Sequence, residues 1–587
     1  MSRVNKLREI MKNRKIDHYI ITSNDPHQSE YVAERYRGRA YVSGFTGSAG
    51  TLLVSTDSSK LWTDGRYFIQ AENELKDSGI DLMKMRTPGY PSLEEYIKEN
   101  VIVGEVIGID GNCYATNAYK KLIELSEENG FKIELNNDLL DEIWKDRPSN
   151  SNDKIILHDV NFCGESRNNK LLKIRDKMKA LKVENFVLTS LDDIAWLFNI
   201  RGNDVKFNPV VMAYAIISME EATLYIDNTK ITDNIISEFK SQNITIKEYD
   251  EVLSDVKALT TSVYIDPTKV NASIFEAIPK EIKVIEGINI TTNLKAIKNE
   301  IELRNLENCQ VRDGVAMVRF IKWLKESVGD IKVTEISATE KLSSLRAEGE
   351  HARGDSFGTI AGYKEHAAMM HYSANEESDC EILKEGMFLV DSGGQYLDGT
   401  TDITRTFVMG EITEEEKMDF TLVLKGHINL AMAKFLRGTT GVNLDILARG
   451  PLWKYGIDYK CGTGHGVGFF LNVHEGPQGI SPQNNIVVLE PGMILTNEPG
   501  IYKEGKHGIR IENTLLVVRD KTTEFGEFYK FDTISYCPID LNGVIKELLS
   551  TEELEWLNNY HETVYNKLSP FMNEEEKEFL KNLTRVL

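Results

Sequence analysis

Cysteine, positive charge and long apolar runs are all scarce in this chain of 587 residues, and each shortage narrows what the protein can be. Its six cysteines are scattered without a Cys-x-x-Cys pair, a usage typical of reduced thiols in a cytoplasmic protein. The formal net charge of −22 argues against nucleic acid and anionic membranes as partners, because both require a basic surface. No run of eighteen apolar residues and no apolar signal core occur, so we expect neither a membrane span nor secretion.

A nucleotide-binding loop is also missing, although residues 462–468 form a glycine-rich run. The run lacks the Lys-Ser/Thr pair of a P-loop, and Val467 stands where the dinucleotide fingerprint requires Gly or Ala. Its small residues would instead let the backbone approach an ion closely, beside the imidazole of His465.

The length predicts three or four domains, and a weak internal repeat organises the first half. Residues 18–23 (His-Tyr-Ile-Ile-Thr-Ser) resemble residues 185–190 (Asn-Phe-Val-Leu-Thr-Ser), and residues 59–64 resemble residues 222–227. With helical stretches at 117–128 and 171–181, the pattern predicts two similar α/β domains.

Two boundaries follow from composition. One is the polar stretch 147–153, and the other lies near residues 289–299, before a helix predicted for 300–328. The last forty residues predict two amphipathic helices that pack on the third domain. We therefore expect domains at residues 1–150, 151–295 and 296–587.

The last third of the chain presents four carboxylates and one imidazole, each at the end of a strand-like run. They are Asp391, Asp402, His465, Glu498 and Glu512. This set is too acidic for a structural zinc site, which favours Cys and His. It suits two hard divalent cations side by side, because carboxylates bridge metal ions and offset their charge.

The local pattern brings these groups together in pairs. Asp391 closes an apolar run and Asp402 opens another, with glycines between them, as expected for two strands joined by a turn. Arg510 and Glu512 are two residues apart, so on a strand they share a face.

At these positions the chain resembles the pita-bread metallopeptidases, the group of methionine aminopeptidase, prolidase and aminopeptidase P. The resemblance is greatest to the three-domain aminopeptidase P form and covers nearly the whole chain. In the catalytic region it rests on residues 391–396, 401–406, 464–468, 472–476, 498–502 and 508–513. Outside that region it rests on residues 62–68, 194–202 and 555–561.

The resemblance implies an α/β (α+β) protein with two creatinase-like N-terminal domains and a pita-bread catalytic domain. It implies that Asp391 chelates one metal, that Asp402 and Glu512 bridge both, and that His465 and Glu498 complete the ligands of the other metal. The metals would be two divalent ions, with Mn²⁺ favoured and Co²⁺ or Zn²⁺ able to substitute. Short peptides with proline second would be the substrates, cleaved by a cytoplasmic homodimer.

Five further side chains are substrate-site candidates through the same resemblance, together with His465. On the residues alone, the simpler interpretation is that His371 is a core histidine, His474 a hydrogen bonder at a strand end, and Arg66 a member of a structural ion pair. The resemblance assigns all three to substrate binding, with His371 and His474 bonding to the scissile carbonyl and Glu498 transferring a proton. Tyr502 and Arg510 would orient the ligands.

His351 and His366 match no family position and are expected to be surface or loop residues.

Two alternatives and one departure remain. A prolidase shares the metal ligands but accepts only dipeptides, and a binding module of this fold would have lost its metals. Residue 461 is Cys where many relatives of the family have His. Either Cys461 is a small apolar filler, or it changes the pocket for the residue ahead of proline.

Overall fold

The computed structural model describes residues 2–135, 138–483 and 485–587. Backbone contacts divide the chain into two compact units. Unit 1 comprises Met1–Leu157 and Glu165–Thr292, and unit 2 comprises His158–Gly164 and Asn293–Leu587. The predicted domain boundaries at residues 150 and 295 stay predictions.

Unit 1 contains two six-stranded sheets with the same topology. Numbered along the chain within each sheet, the strands lie in the order 4-3-2-1-5-6; strand 2 is antiparallel to both its neighbours and the other pairs are parallel. The first sheet consists of Asp81–Lys84, Ser59–Thr63, Thr51–Ser55, His18–Ile21, Val106–Ile109 and Lys132–Leu135. The second consists of Ile244–Lys247, Ala222–Ile226, Ala213–Ser218, Asn185–Leu188, Val263–Ile265 and Val284–Glu286. The predicted duplication is therefore confirmed.

Helices cover these sheets. Leu7 and Met11, four residues apart on one face of the first helix, pack into the core of the first sheet. The helices predicted at 117–128 and 171–181 are present as Thr116–Asn129 and Arg167–Leu181. The others are Arg3–Arg14, Gly38–Ser43, Phe68–Glu74, Leu93–Asn100, Leu140–Ile143, Leu191–Phe198, Asp233–Ser241, Val252–Lys257 and Ala272–Ala277. Ile156–Leu157 also pairs with Ile200–Arg201.

Unit 2 begins with short helical segments at Val160–Cys163 and at the end of Ile290–Ala296, followed by the predicted long helix, Glu300–Ser327. Asn299 caps that helix by accepting hydrogen bonds from the Ile301 and Glu302 N–H groups. The apolar residues that predicted the helix are all buried along it: Val311, Val315, Met317, Val318 and Ile321. The remaining α-helices are Glu335–Ala347, Glu414–Ala431, Gly441–Trp453, Thr551–Leu568 and Glu574–Leu583.

The described strands of unit 2 form four sheets. The largest has the order Lys434–Leu436, Gly526–Thr533, Asn513–Thr523, Ile494–Asn497, Gly464–Gly466 and Glu475–Ile480. One three-stranded sheet has Met387–Ser392 between Ile360–Tyr363 and Ile403–Val408. The others are Ala352–Asp355 with Gly394–Tyr396 and Gly399–Thr400, and Gly500–Lys503 with His507–Arg510.

The C-terminal helices pack on this unit, as predicted. Leu557, Val564 and Leu568 are fully buried in one core cluster with Ile501 and Ile509, which belong to the hairpin between Glu498 and Glu512. Among the described residues, none of the helices has the length and apolar character needed to cross a bilayer. Cys113, Cys309, Cys380 and Cys537 are not in disulfide bonds.

Candidate metal centre

A pair of antiparallel strands places the two aspartates. Asp391 lies near the end of Met387–Ser392 and pairs with Thr404 on Ile403–Val408, and Asp402 directly precedes that second strand. The connection is longer than a simple turn, because residues 394–400 form a second small hairpin that pairs with Ala352–Asp355. Both aspartates are buried at the same end of the strand pair.

His465 and Glu498 come from neighbouring strands of the large sheet. His465 is the middle residue of Gly464–Gly466, and Glu498 follows Ile494–Asn497, which pairs with it. The His465 Nε2 atom lies 3.4 Å from Asp402 Oδ2 and 3.5 Å from Glu498 Oε1. His465 Nδ1–H donates to the Gly466 carbonyl at 2.9 Å, which leaves Nε2 facing the carboxylates. This is the orientation of a histidine that binds a metal through Nε2.

Glu512 joins the cluster from the junction between His507–Arg510 and Asn513–Thr523. Its backbone N–H donates to the Thr404 carbonyl at 3.1 Å, and the Thr404 hydroxyl donates to its Oε2 at 2.7 Å. Oxygen or nitrogen atoms of Asp402, His465 and Glu512 all lie within 4.8 Å of one another. The structure therefore brings both predicted bridging carboxylates to the predicted histidine.

The electrostatics of the cluster fit the binding of divalent cations. Burial and the neighbouring carboxylates of Asp402 and Glu498 raise the pKa of Asp391 to about 6, and burial and the same charges hold the pKa of Glu512 well above its usual value. Burial lowers the pKa of His465, but Asp402 and Glu498 more than offset it and raise the pKa to about 9. Within the described chain, the buried Asp391 Oδ1 atom has no hydrogen-bond partner. Hard cations would satisfy this oxygen and neutralise the crowded carboxylates.

Arg510 and Tyr502 lie beside the candidate ligands, where they were expected. The Arg510 guanidinium donates to Asp391 Oδ2 at 2.6 Å and to the Tyr502 hydroxyl at 2.5 Å. Arg510 Nε also donates to the Thr404 hydroxyl at 3.2 Å, so Arg510 and Glu512 do share a face. One buried arginine thus connects residues from three strands around the cluster.

Of the two candidate substrate histidines, His474 contacts the cluster itself and His371 follows a residue that is bonded to Arg510. The ring of His474 is 4.3 Å from the ring of His465, in an edge-to-face arrangement. His371 lies in the turn after the 3₁₀ helix Lys364–Ala368, and the preceding carbonyl, of Met370, accepts a hydrogen bond from Arg510 at 3.4 Å.

Arg66 belongs to unit 1, where its guanidinium makes two bonds of 2.8 Å to the carboxylate of Asp64. Its substrate role stays a prediction. The expectation for His366 as a surface or loop residue was wrong in part. His366 is half-buried on the Lys364–Ala368 helix, and its Nδ1 bonds to the fully buried carboxylate of Glu335 at 2.9 Å. His351 is partly exposed and lies 3.5 Å from Glu350.

Sequence reasoning missed several residues that support the cluster. The Thr496 hydroxyl accepts from the His465 N–H at 3.0 Å and donates to Glu498 at 3.3 Å. Glu475, next to His474, is buried between Lys298, to which it is bonded, and Lys295 at 3.6 Å. The threonines could have been suspected, since each lies two residues from a candidate ligand; the lysines, more than 170 residues away, left no signal.

Comparison with known proteins agrees with this architecture. The Creatinase/Prolidase N-terminal domain family matches residues 3–133 and again 146–302. Metallopeptidase family M24 matches residues 304–519, and the C-terminal region of peptidase M24 matches residues 527–587. A probable Xaa-Pro aminopeptidase P of Talaromyces marneffei is 40% identical over 607 residues, covering 100% of this chain and 92% of the relative. The chain belongs to the aminopeptidase P family of metallopeptidases.

Other members of the aminopeptidase P family are similar over their full length. Aminopeptidase P1 of Arabidopsis thaliana is 38% identical and the match covers 99% of this chain and 98% of the relative. The crystal structure of X-prolyl aminopeptidase from Caenorhabditis elegans, described as a cytosolic enzyme with a di-nuclear active site, superimposes with a TM-score of 0.96 at 34% identity, covering 100% of this chain and 99% of the other. The predicted fold class, with creatinase-like domains before a pita-bread domain, is confirmed.

Proposed function

We propose that this chain is a metal-dependent aminopeptidase that releases the N-terminal residue from short peptides with proline in the second position. The observation that carries the proposal is the convergence of Asp402, His465 and Glu512 within 4.8 Å, with Asp391 and Glu498 beside them. Membership of the aminopeptidase P family, whose Caenorhabditis elegans member has a di-nuclear site, supplies the reaction class.

Five residues hold two divalent cations in this proposal. Asp391 would hold one ion, His465 and Glu498 would hold the other, and Asp402 and Glu512 would be shared by both. Mn²⁺ is the proposed metal, because carboxylate oxygens outnumber the single imidazole in the ligand set. Bound there, two cations supply an activated water and polarise the scissile carbonyl.

The protein groups around this centre carry the remaining tasks. Glu498 takes a proton from the attacking water and transfers it toward the leaving nitrogen. His371 and His474 donate hydrogen bonds to the oxygen of the scissile carbonyl as negative charge develops there. Arg510 and Tyr502 hold the ligands in place. Arg66 binds a carbonyl or carboxylate of the peptide beyond proline.

Proline at the second position suits this arrangement. The bond that precedes proline has no N–H, and the pyrrolidine ring fixes φ, so peptidases that bind an extended strand through that N–H cannot use it. A site that binds the carbonyl oxygen through metals and histidines does not need the N–H. We further propose a cytoplasmic homodimer, with no nucleic-acid or membrane partner, consistent with the net charge of −22.

The experiment compares hydrolysis of an X-Pro-X tripeptide and an X-Pro dipeptide by the purified protein. Cleavage of the tripeptide after X, lost on exhaustive chelation and restored best by Mn²⁺, is the expected result. Glu365→Gln, at an exposed residue of the 3₁₀ helix Lys364–Ala368, serves as a matched carboxylate control that should respond like the parent. Hydrolysis of the dipeptide alone would show that the protein is a prolidase. Full activity after exhaustive metal removal would show that the reaction does not depend on metal.

A further inference from the structure

A second group of metal-binding side chains lies in unit 2 and shares no residue with the proposed catalytic ligands. Glu335 Oε, His366 Nδ1 and Cys380 Sγ all lie within 4.8 Å of one another. We propose that this Glu335–His366–Cys380 cluster binds a single soft divalent cation, with Zn²⁺ the best match.

The distances between the three donor atoms are close to those of a tetrahedral zinc site. Cys380 Sγ lies 3.7 Å from His366 Nδ1, and His366 Nδ1 lies 2.9 Å from Glu335 Oε1. With Zn–S near 2.3 Å and Zn–N or Zn–O near 2.0 Å, tetrahedral angles give separations of about 3.5 Å for the sulfur–nitrogen pair and about 3.3 Å for the nitrogen–oxygen pair. Shifts of a few tenths of an ångström would therefore admit the ion.

Helices position Glu335 and His366, and a backbone hydrogen bond positions Cys380, before any ion binds. Glu335 is the first residue of the helix Glu335–Ala347, and its backbone N–H donates to the Cys380 carbonyl at 3.3 Å. His366 belongs to the 3₁₀ helix Lys364–Ala368. The Glu335 carboxylate also accepts from the Tyr363 N–H at 2.8 Å and from the Tyr372 hydroxyl at 2.9 Å. These bonds orient the carboxylate as supporting hydrogen bonds orient ligands at metal sites.

The partial exposure of the cluster leaves one coordination position open to solvent. Glu335 is fully buried, whereas His366 and Cys380 are partly exposed. Three protein ligands at the base and solvent on the fourth side match a zinc site that keeps one water. The thiolate also gives this site a different metal preference from the proposed catalytic site, because soft sulfur favours Zn²⁺ over the Mn²⁺ that carboxylate oxygens prefer. Binding releases the thiol proton of Cys380 to solvent.

Cobalt provides a direct test, because a thiolate bound to Co²⁺ gives an intense sulfur-to-metal absorption band that oxygen and nitrogen ligands do not. The parent protein titrated with Co²⁺ is expected to develop this band, and Cys380→Ser is expected to lose it and to bind one Zn²⁺ fewer at equilibrium dialysis. Cys461→Ser is the matched control, since Cys461 is the partly exposed cysteine four residues before His465, and it should keep the band.

Absence of the band in the parent, or its persistence in Cys380→Ser, would overturn the proposal and leave a hydrogen-bonded cluster only. Loss of the band in Cys461→Ser would place the thiolate at the catalytic centre instead. A second measurement avoids variants altogether. Zn²⁺ should slow iodoacetamide alkylation of Cys380 severalfold in the intact protein, as followed by peptide mapping, while alkylation of the partly exposed Cys113 stays unchanged. Equal alkylation of Cys380 with and without Zn²⁺ would also refute the site.

Discussion

The guanidinium of Arg510 lies 2.6 Å from Asp391 and also donates to the hydroxyl of Thr404, which in turn donates to Glu512. Through these bonds one buried side chain sets the position of two proposed ligands from different strands. The Asp391 oxygen that Arg510 does not contact has no other partner within the described residues. Arg510 therefore holds Asp391 in an orientation that leaves this second oxygen available to a proposed metal ion.

Replacement of Arg510 by Lys is expected to weaken Mn²⁺ binding about 10- to 100-fold, the usual loss when a residue that orients metal ligands is changed. Lysine keeps the charge but cannot bond to Asp391, Thr404 and Tyr502 at once. Mn²⁺ titration measures the change. Arg319→Lys, in a partly exposed ion pair with Glu576, is the matched control. Equal Mn²⁺ affinity in parent and Arg510→Lys would show that Arg510 does not orient the ligands.

Asp402→Asn should remove most peptidase activity, because an amide bridges two cations poorly compared with a carboxylate. The variant should also melt at a lower temperature than the parent when Mn²⁺ is present, since an ion bound only by the folded state stabilises it by mass action. Metal-free samples of the two should differ less. Asp330→Asn, at an exposed aspartate, controls for the substitution. Activity of Asp402→Asn within a few-fold of the parent would mean that another carboxylate is the bridge.

His371→Ala and His474→Ala should each lower kcat about a hundredfold or more while metal content stays unchanged, as is typical for loss of one donor to a developing oxyanion. Because the ring of His474 lies against the ring of His465, a proposed ligand, unchanged metal content is the more demanding expectation for His474→Ala. Activity assays and metal analysis on the same samples separate the two effects. His351→Ala provides a partly exposed histidine as control. Loss of metal from either variant would reassign that histidine as a ligand.

The sequence carried enough information for the local structure around the centre. Apolar runs ending at Asp391 and starting at Asp402 correspond to paired strands, and the two-residue spacing of Arg510 and Glu512 places both at Thr404. These features depend on residues close together in the sequence, so the hydrophobic pattern and the residue spacing are enough to predict them. The extra hairpin between the aspartates was not expected, because it depends on pairing with Ala352–Asp355, far away in sequence.

Contacts between distant residues were the part that sequence could not provide. His366 has no motif around it, yet it bonds to Glu335, 31 residues earlier, only because the fold places the start of one helix beside the 3₁₀ helix that contains His366. The same holds for Lys298 and Glu475, which are 177 residues apart. Such pairs are set by tertiary packing, and a single sequence contains no periodic signal for them.

Stability should fall as pH decreases from about 6.5 to about 4, partly through His561 on the C-terminal helix. Burial and then the charge of Arg405 lower the pKa of His561 to about 4, and its Nε2 accepts the Ile539 N–H at 3.1 Å. In the unfolded chain His561 binds a proton near pH 6.5, whereas in the folded chain it binds one only near pH 4. The stability that neutral His561 contributes is therefore complete above pH 6.5 and is lost as the pH falls toward 4. One such group changes the unfolding free energy by up to about 1.4 kcal/mol per pH unit.

Denaturant unfolding of the metal-free protein at several pH values measures this slope. His561→Gln keeps an oxygen that can accept the Ile539 N–H but does not titrate, so its slope between pH 6.5 and 4 should be shallower than that of the parent. His351→Gln, at a partly exposed histidine, is the control for the substitution itself. A parent and a His561→Gln variant with the same slope would rule out His561 as a source of acid sensitivity.

Cys461 is expected to shape the pocket for the first substrate residue without binding a metal. Its side chain packs in the same core cluster as Ile457 and Tyr502, and it is not part of the group formed by the Asp402, His465 and Glu512 donor atoms. Its carbonyl accepts from the buried Arg449 at 2.6 Å, which fixes the backbone at this position.

Cys461→Ser should therefore keep two metal ions per chain and most activity, because the two side chains have similar size and five other residues are the proposed ligands. Cys461→His should mainly shift the preference at the first residue of X-Pro-X peptides, since an imidazole is larger and more polar than a thiol. Relative kcat/KM values for a series of first residues, measured with metal content, decide the matter. Loss of one metal equivalent in Cys461→Ser would show that the thiol coordinates. An unchanged preference series in Cys461→His would place the side chain outside the pocket.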